Sequence, residues 1–233
     1  TPLYSSAASD VYKRQIHTPN LDRLAGGGIR FTQFYNTARC CPSRASILTG
    51  LHPHQAGMGH MTSSKPLDNL EGYRGQLNNR NVTIAEVLCG AGYATLMTGK
   101  WHLGEPGPVE RGFDEYYGML HGFDSFWDES KYTRMPADRP KRAYAAGKFY
   151  ATDAITDHTL DLLSIARRRR QPYFLYLAYN AAHFPLHAPP GAIEKYVSLF
   201  ERGWDEIRQA RFERMRGMGL LDRGWEFSPR STI

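Results

Sequence analysis

Apolar and polar positions fall in blocks along this chain, and the period changes from block to block. In HTPNLDRLAGGGIRFTQFY, Leu21 and Leu24 share a helical face, Thr18 stands where a cap belongs and Pro19 suits the first helical position. Gly26 to Gly28 stop that helix, and the run from Ile29 to Tyr35 then reads as a strand. A second helix is expected after Pro42, with Ile47 and Leu48 buried. Thr83 caps IAEVLCGAGY, where Ile84, Val87 and Leu88 form an apolar face before Gly90 and Gly92. YATLMTGKWHLG reads as a strand over Tyr93 to Thr98 that runs into a Gly-rich loop. Residues 104–148, rich in Gly, Pro and aromatics, read as an irregular excursion. A helix over residues 150–167 sets Ile155, Thr159, Leu162 and Ala166 on one side. PYFLYLAYN follows as the continuous apolar run of a strand covered on both faces, and two more helices are expected over 191–200 and 204–217.

Strands alternating with helices predict an α/β domain with a mainly parallel sheet, in which ligands bind beyond the carboxyl ends of the strands. Three polar loops fall at such ends: Asn36 to Arg44, Gly99 to Gly104 and Asn180 to His187. Residues 1–15, TPLYSSAASDVYKRQ, follow neither period. Their SSAASDVYKRQ resembles translated adapter sequence, so a non-native leader is expected there, with residues 16–233 forming one partial domain.

Composition narrows the classes. A hydrophobic share of 41% over 233 residues supports a sizeable core, while no apolar run reaches the roughly 18 residues of a membrane span. A net charge of +6 favours anionic partners. The basic residues are scattered, and the dense run Arg167 to Arg170 ends a helix, where cations complement the helix dipole. No zinc-finger spacing, RNP-like segment or repeat supports nucleic-acid binding, and small sulfated or phosphorylated molecules stay open as partners. The three cysteines, Cys40, Cys41 and Cys89, do not read as a disulfide framework, because neighbours in sequence are poor partners for each other.

Two of those cysteines open CCPSRASILTG, residues 40–50. A helix beginning at Pro42 sets Cys40 or Cys41 against free backbone N–H groups and a positive dipole end, which lowers a thiol from its usual pKa of about 8.5. Arg44, in the first turn, can reach back to an anion at the same spot. A small buried cysteine pair with an arginine on the surface is an equally good reading of the local physics. A phosphatase-type thiolate loop is excluded, since it requires an arginine six residues after the cysteine.

CCPSRASILTG resembles the signature of the type I sulfatases, C-x-P-S-R followed by a spacer and L-T-G, with Cys40, Pro42, Ser43, Arg44, Leu48, Thr49 and Gly50 in the signature positions. TGKWHLG, residues 98–104, resembles the second sulfatase signature, and AAHFPLHAP resembles the later segment that carries a substrate-facing histidine, here His183. Similarity of style, including TPNLDRLA and RGFDEYYG, runs over most of residues 17–222.

The resemblance implies a three-layer alkaline-phosphatase-like α/β fold, truncated here, and a sulfuric ester hydrolase of arylsulfatase type. It implies that a maturase oxidises Cys40 to formylglycine, whose hydrate attacks sulfur with one hydroxyl and releases sulfate with the help of the second. Lys100 and Arg44 would hold anionic oxygens, His183 would protonate the leaving oxygen and His102 would assist deprotonation of the second hydroxyl. Lys100 and His183 would thus touch substrate, a small-molecule or carbohydrate sulfate ester. The family binds calcium through pairs of acidic residues, with formylglycine completing the shell. Those pairs are not found here, so Cys40, as formylglycine, is the one expected metal ligand, and the fragment itself is expected to be inactive although its parent is an enzyme. A phosphodiesterase or phosphonate monoester hydrolase of the same superfamily, or a non-catalytic binder of sulfated glycans, are the alternatives. Neither a membrane nor a nucleic-acid partner is expected, and the resemblance suggests a periplasmic or extracellular setting. His52, His54, His60, His121, His187 and Tyr176 read as structural, whereas Trp127, Tyr132 and Arg134 are candidates for a carbohydrate or aryl pocket.

Overall fold

The computed structural model of the chain describes residues 16–31, 33–63, 70–222 and 224–230; the expected leader lies outside them. The chain forms two compact units, residues 37–187 and a second built from 16–36 with 188–230.

In the first unit a sheet of order β3-β2-β1-β4 is built on β1 (Ala94–Lys100), every residue of which is buried. Strand β1 pairs in parallel with β2 (Glu115–Met119) and β4 (Tyr173–Ala178), and the short β3 (Thr133–Met135) adds to β2 antiparallel. Alternate residues of β1 serve two layers, as the pleat requires. Ala94 and Leu96 pack with Leu162 and Ala166 of α4 (Ala151–Arg169), and Thr98 Oγ1 lies 2.6 Å from Thr159 Oγ1 of the same helix. Met97 packs with Cys41, Ala45 and Leu48 of α2 (Cys40–Thr49) and Ala85 of α3 (Ile84–Gly90). The result is a helix–sheet–helix sandwich.

The strands close tightly at their carboxyl ends. Gly99 pairs with Gly118, and a Cβ on Gly99 would lie 2.0 Å from the carbonyl oxygen of Ala178, so neither neighbour of β1 leaves room for a side chain. Helix α3 carries the expected cap as a full capping box: Glu86 N donates to Thr83 Oγ1 (3.1 Å) and Thr83 N donates to Glu86 Oε2 (2.6 Å). Arg111, from RGFDEYYG, locks this corner by pairing its Nε with Glu86 Oε1 at 3.1 Å.

Several expectations change. The excursion at 104–148 contains β2 and β3; β2 carries no alternation because it is buried on both faces, and β3 is only three residues long. Strand β1 runs two residues further, so Lys100 ends a strand rather than lying in a loop. Among the described residues β4 is an edge strand that pairs with β1 alone, which leaves Tyr173 and Leu177 partly open instead of covered on both faces. Helix α2 begins at Cys40 rather than after Pro42 and buries Leu48 while Ile47 is 59% exposed. Helix α3 buries Ala85 and not its expected face; Val87 is 59% exposed.

In the second unit α1 (Pro19–Gly26) starts at Pro19 as expected, but the Thr18 side chain makes no capping hydrogen bond and reaches Asp22 Oδ1 instead. The expected strand from Ile29 to Tyr35 has no ladder partner among the described residues; Ile29 and Tyr35 are exposed and Phe31 packs on Phe34. One expected helix divides into α5 (Pro190–Glu194) and α6 (Val197–Phe200), and α7 (Trp204–Gly217) closes the unit.

Candidate active site

The two cysteines stand at the first two positions of α2. Arg39 caps in an extended conformation, and the first helical bond runs from Ser43 N to Arg39 O at 3.1 Å. Pro42 suits the third position because an N–H there has no helical partner. The L-T-G end of the motif also has a physical role: Thr49 Oγ1 donates to Ala45 O (2.7 Å), Leu51 N donates to Thr49 Oγ1 (3.2 Å), and Gly50 takes the left-handed conformation that ends the helix.

Beyond Lys100 the chain continues beside β2. Trp101 N donates to Met119 O and His102 N to Leu120 O, both at 3.0 Å. The buried Trp101 donates Nε1 to Gly104 O at 2.9 Å, which fixes the turn. His102 has a φ of 51°, a conformation that costs a non-glycine residue about 1 kcal/mol, and its imidazole packs against Gly122, where a Cβ would stand 2.7 Å from Cε1. Strand β1, α2 and the segment after β2 thus bring the Sγ atoms of Cys40 and Cys41 and a ring nitrogen of His102 within 4.8 Å of one another. Met61 Sδ lies 3.7 Å from Cys40 Sγ.

The electrostatics are one-sided. Lys100 is 2% exposed and Arg44 3% exposed, and neither pairs with a carboxylate among the described residues, where the buried ion pairs are Arg111–Glu86 and Arg134–Glu115. Arg44 Nη1 donates to Lys100 O (2.5 Å) and lies 3.4 Å from Tyr176 Oη, while its Nε has no partner. Burial brings Lys100 down to about 8, opposed by the negative charge of Cys40. The Cys40 thiol is held well below its usual value, first by a hydrogen bond from Cys41 and then by His102 and Lys100, while the same bond and burial push Cys41 up. Of the two thiols, Cys40 is therefore the one these surroundings favour in the charged form. His102 is lowered, chiefly by burial, and its Nδ1 is unpartnered.

A cavity of about 530 Å³ opens over this cluster, with Arg39, Cys40, Met61, Thr62, His102, His121, Gly122, Phe123 and His183 in its wall. His183 Nδ1 lies 2.7 Å from Phe184 O, and its ring stacks on Phe123 at 5.8 Å. Cys40, His102 and His183 thus share one cavity, and Lys100 and Arg44 lie buried by the Cys40 end. The candidate pocket residues fare differently: Tyr132 and Arg134 are buried in the core, and Trp127 packs on Tyr150. Sequence reasoning missed Arg39, Met61, His121 and Phe123 as wall residues. His121 and Phe123 follow β2 directly, so recognising that strand would have placed them at a carboxyl end. His187 accepts a bond from Phe126 N, and His54 stacks on His52, as structural histidines do.

Among the described residues, Cys40, Cys41 and His102 are the one group of three or more His, Cys, Asp or Glu side chains able to converge on an ion. Calcium takes six to eight oxygen ligands, so this sulfur and nitrogen donor set does not fit it.

The layered α/β architecture, with chemistry at the carboxyl ends of parallel strands, is that of the alkaline-phosphatase-like fold. A solved structure from Bacteroides fragilis superposes with a TM-score of 0.68 at 23% identity, covering 83% of this chain and 45% of its own. The sulfatase family profile matches residues 5–224, and the chain belongs to the sulfatase family. It is 34% identical to the arylsulfatase of Klebsiella aerogenes over 91% of this chain and 50% of that protein, and 33% identical to human arylsulfatase A over 72% and 37%. A structure whose title describes a protein in complex with its substrate D-glucosamine-2-N,6-O-disulfate matches with a TM-score of 0.58 and 31% identity, over 84% of this chain and 35% of that one. The chain spans half or less of the length of these relatives. Members of the family are generally metal-dependent formylglycine enzymes.

Proposed function

We propose that residues 16–233 are part of the catalytic domain of a sulfuric ester hydrolase and that the cavity over Cys40 receives the sulfate group. The observation that carries this reading is the pair of buried cations, Arg44 and Lys100, beside Cys40 with no carboxylate partner among the described residues. Once the thiol of Cys40 is converted and its negative charge is gone, burying these cations costs several kcal/mol, which an anionic ligand in the same place offsets. The family relation, and names such as arylsulfatase among the relatives, favour a sulfate ester over the phosphodiester, phosphonate and non-catalytic readings.

Cys40, facing the cavity from the first turn of α2, is the residue proposed for conversion to formylglycine by a maturase; the aldehyde hydrate would supply the attacking oxygen. Lys100 and Arg44 hold negative charge on the sulfate oxygens. Burial keeps His102 neutral near pH 7, ready to accept a proton from a hydroxyl at position 40. The contact of His183 Nδ1 with Phe184 O suits an Nδ1–H donor, so that in its doubly protonated form the ring can give its Nε2 proton to the departing alcohol. The stacked Phe123 and His183 form a flat wall suited to the ring of a sulfated sugar or aryl group. Calcium would need oxygen ligands other than the sulfur and nitrogen donors that converge among the described residues.

The test combines peptide mass with turnover in an active enzyme containing this chain. Conversion of Cys40 lowers the mass of its peptide by about 18 Da, and 4-nitrophenyl sulfate should be cleaved in preference to bis(4-nitrophenyl) phosphate. An intact thiol at position 40 in active enzyme, or preference for the phosphodiester, would overturn the reading.

A further inference from the structure

We propose that, as long as Cys40 remains a thiol, Cys40, Cys41, His102 and Met61 form a binding site for a cuprous ion. The inference concerns the unconverted chain and does not depend on whether conversion to formylglycine takes place.

Three soft sulfur donors and one borderline imidazole nitrogen converge here. The Sγ atoms of Cys40 and Cys41 and a ring nitrogen of His102 lie within 4.8 Å of one another, and Met61 Sδ lies 3.7 Å from Cys40 Sγ. Around an ion with bonds of about 2.0–2.3 Å, donors stand roughly 3.3–3.8 Å apart, so closure needs side-chain movements of about 1 Å. The second observation is the state of His102. It is 7% exposed, and its buried Nδ1 has no hydrogen-bond partner, which is costly unless something binds it. Cys40, Met61 and His102 all stand in the cavity wall, so an ion has an entry path.

Two features select the ion. A thioether is a ligand for cuprous ion rather than for a hard cation, and two thiolates with an imidazole suit the same soft centre. Lys100 and Arg44 are buried nearby, and their positive charge opposes a divalent ion more than a monovalent one. Binding forms copper–sulfur bonds to Cys40 and Cys41 and a copper–nitrogen bond to His102. Each thiol still protonated gives its proton to solvent, and no electron is transferred.

The experiment uses the unconverted chain, held anaerobically and titrated with cuprous ion against a chromogenic cuprous chelator, with zinc and calcium in parallel. One cuprous ion per chain is expected. Alkylation of Cys40, followed by mass spectrometry, should slow about tenfold when the free ion stands about ten times above its dissociation constant. Calcium should give no protection, and Cys89→Ser, at an exposed site, should change nothing. Met61→Leu should weaken cuprous binding about tenfold and leave zinc binding unchanged, while Cys41→Ser and His102→Asn should abolish stoichiometric uptake. Failure of cuprous ion to protect Cys40 in the unaltered chain overturns the site regardless of how the variants fold. Zinc binding as tight as cuprous, with no effect of Met61→Leu, overturns the choice of ion.

Discussion

Removing Glu115 should expose how much of the sheet rests on one buried charge. Its carboxylate accepts from the Arg134 guanidinium, and both side chains are almost completely enclosed at the junction of β2 and β3. Arg139 also reaches it, at 3.4 Å, from a side chain that is 42% exposed, so that contact is worth at most about 1 kcal/mol. Breaking a buried pair by deleting one partner costs about 3–5 kcal/mol, because the surviving charge is left uncompensated. Arg134 would keep its bonds to the carbonyls of Tyr116 (3.1 Å) and Met135, which places Glu115→Ala at the lower end, about 3 kcal/mol. For a unit of this size that is a fall in Tm of about 6–12 °C. Glu115→Gln retains an acceptor and should cost about 1–2 kcal/mol. Replacing both partners, as Glu115→Leu with Arg134→Met, should restore stability to within about 1 kcal/mol of the parent, since no charge is then stranded. Urea unfolding of the chain, followed by tryptophan fluorescence, measures these proteins together with Glu115→Leu and Arg134→Met alone, six in all, at a common slope. A double variant as unstable as the sum of its single changes would refute the argument, as would a Glu115→Ala loss below about 1 kcal/mol.

Gly122→Ala would press a methyl group into the His102 imidazole and displace it by nearly 1 Å; kcat on 4-nitrophenyl sulfate in an active enzyme should fall about 100-fold. Affinity for inorganic sulfate, measured by calorimetry between pH 6.5 and 9.5 (about neutral to above the lysine transition), should be full below about 8 and fall toward tenfold per pH unit above it, because burial lets Lys100 lose its proton there. Lys100→Met should remove that slope. On α3, Val87→Lys should change unfolding free energy by no more than about 0.5 kcal/mol, since Val87 is exposed.

Much of the site was legible because its local chemistry is written in short runs. CCPSR gives a helix start next to sulfur, two residues later than the observed one, and TGKWHLG places Lys100 and His102 at one strand end. The capping box at Thr83 was readable for the same reason. Where the pattern misled, the cause lay in long-range packing. EYYGM carries neither alternation nor a helical stripe, so β2 was read as part of an excursion, and His121 and Phe123 went unplaced with it. Ile84 and Val87 are apolar at helical spacing, yet α3 packs by the small Ala85. PYFLYLAYN has the composition of a central strand, but its position at the sheet edge depends on which strands pair, which no local pattern records. Arg134, read as a pocket residue, is a core cation because Glu115 stands across the β2–β3 ladder, and the sequence gap between them hides the match.

The hydrogen bond from His102 to Leu120 couples two properties that could otherwise vary separately. The peptide that supports the imidazole continues without a break into His121, Gly122 and Phe123, the surface a bound molecule would meet. Reshaping that surface to admit a bulkier ester therefore also re-aims His102, the proposed proton acceptor, so under that proposal a change of selectivity introduced there carries a change of rate with it. Around His183, on a separate loop, the contour of the opening is free to diverge without that penalty.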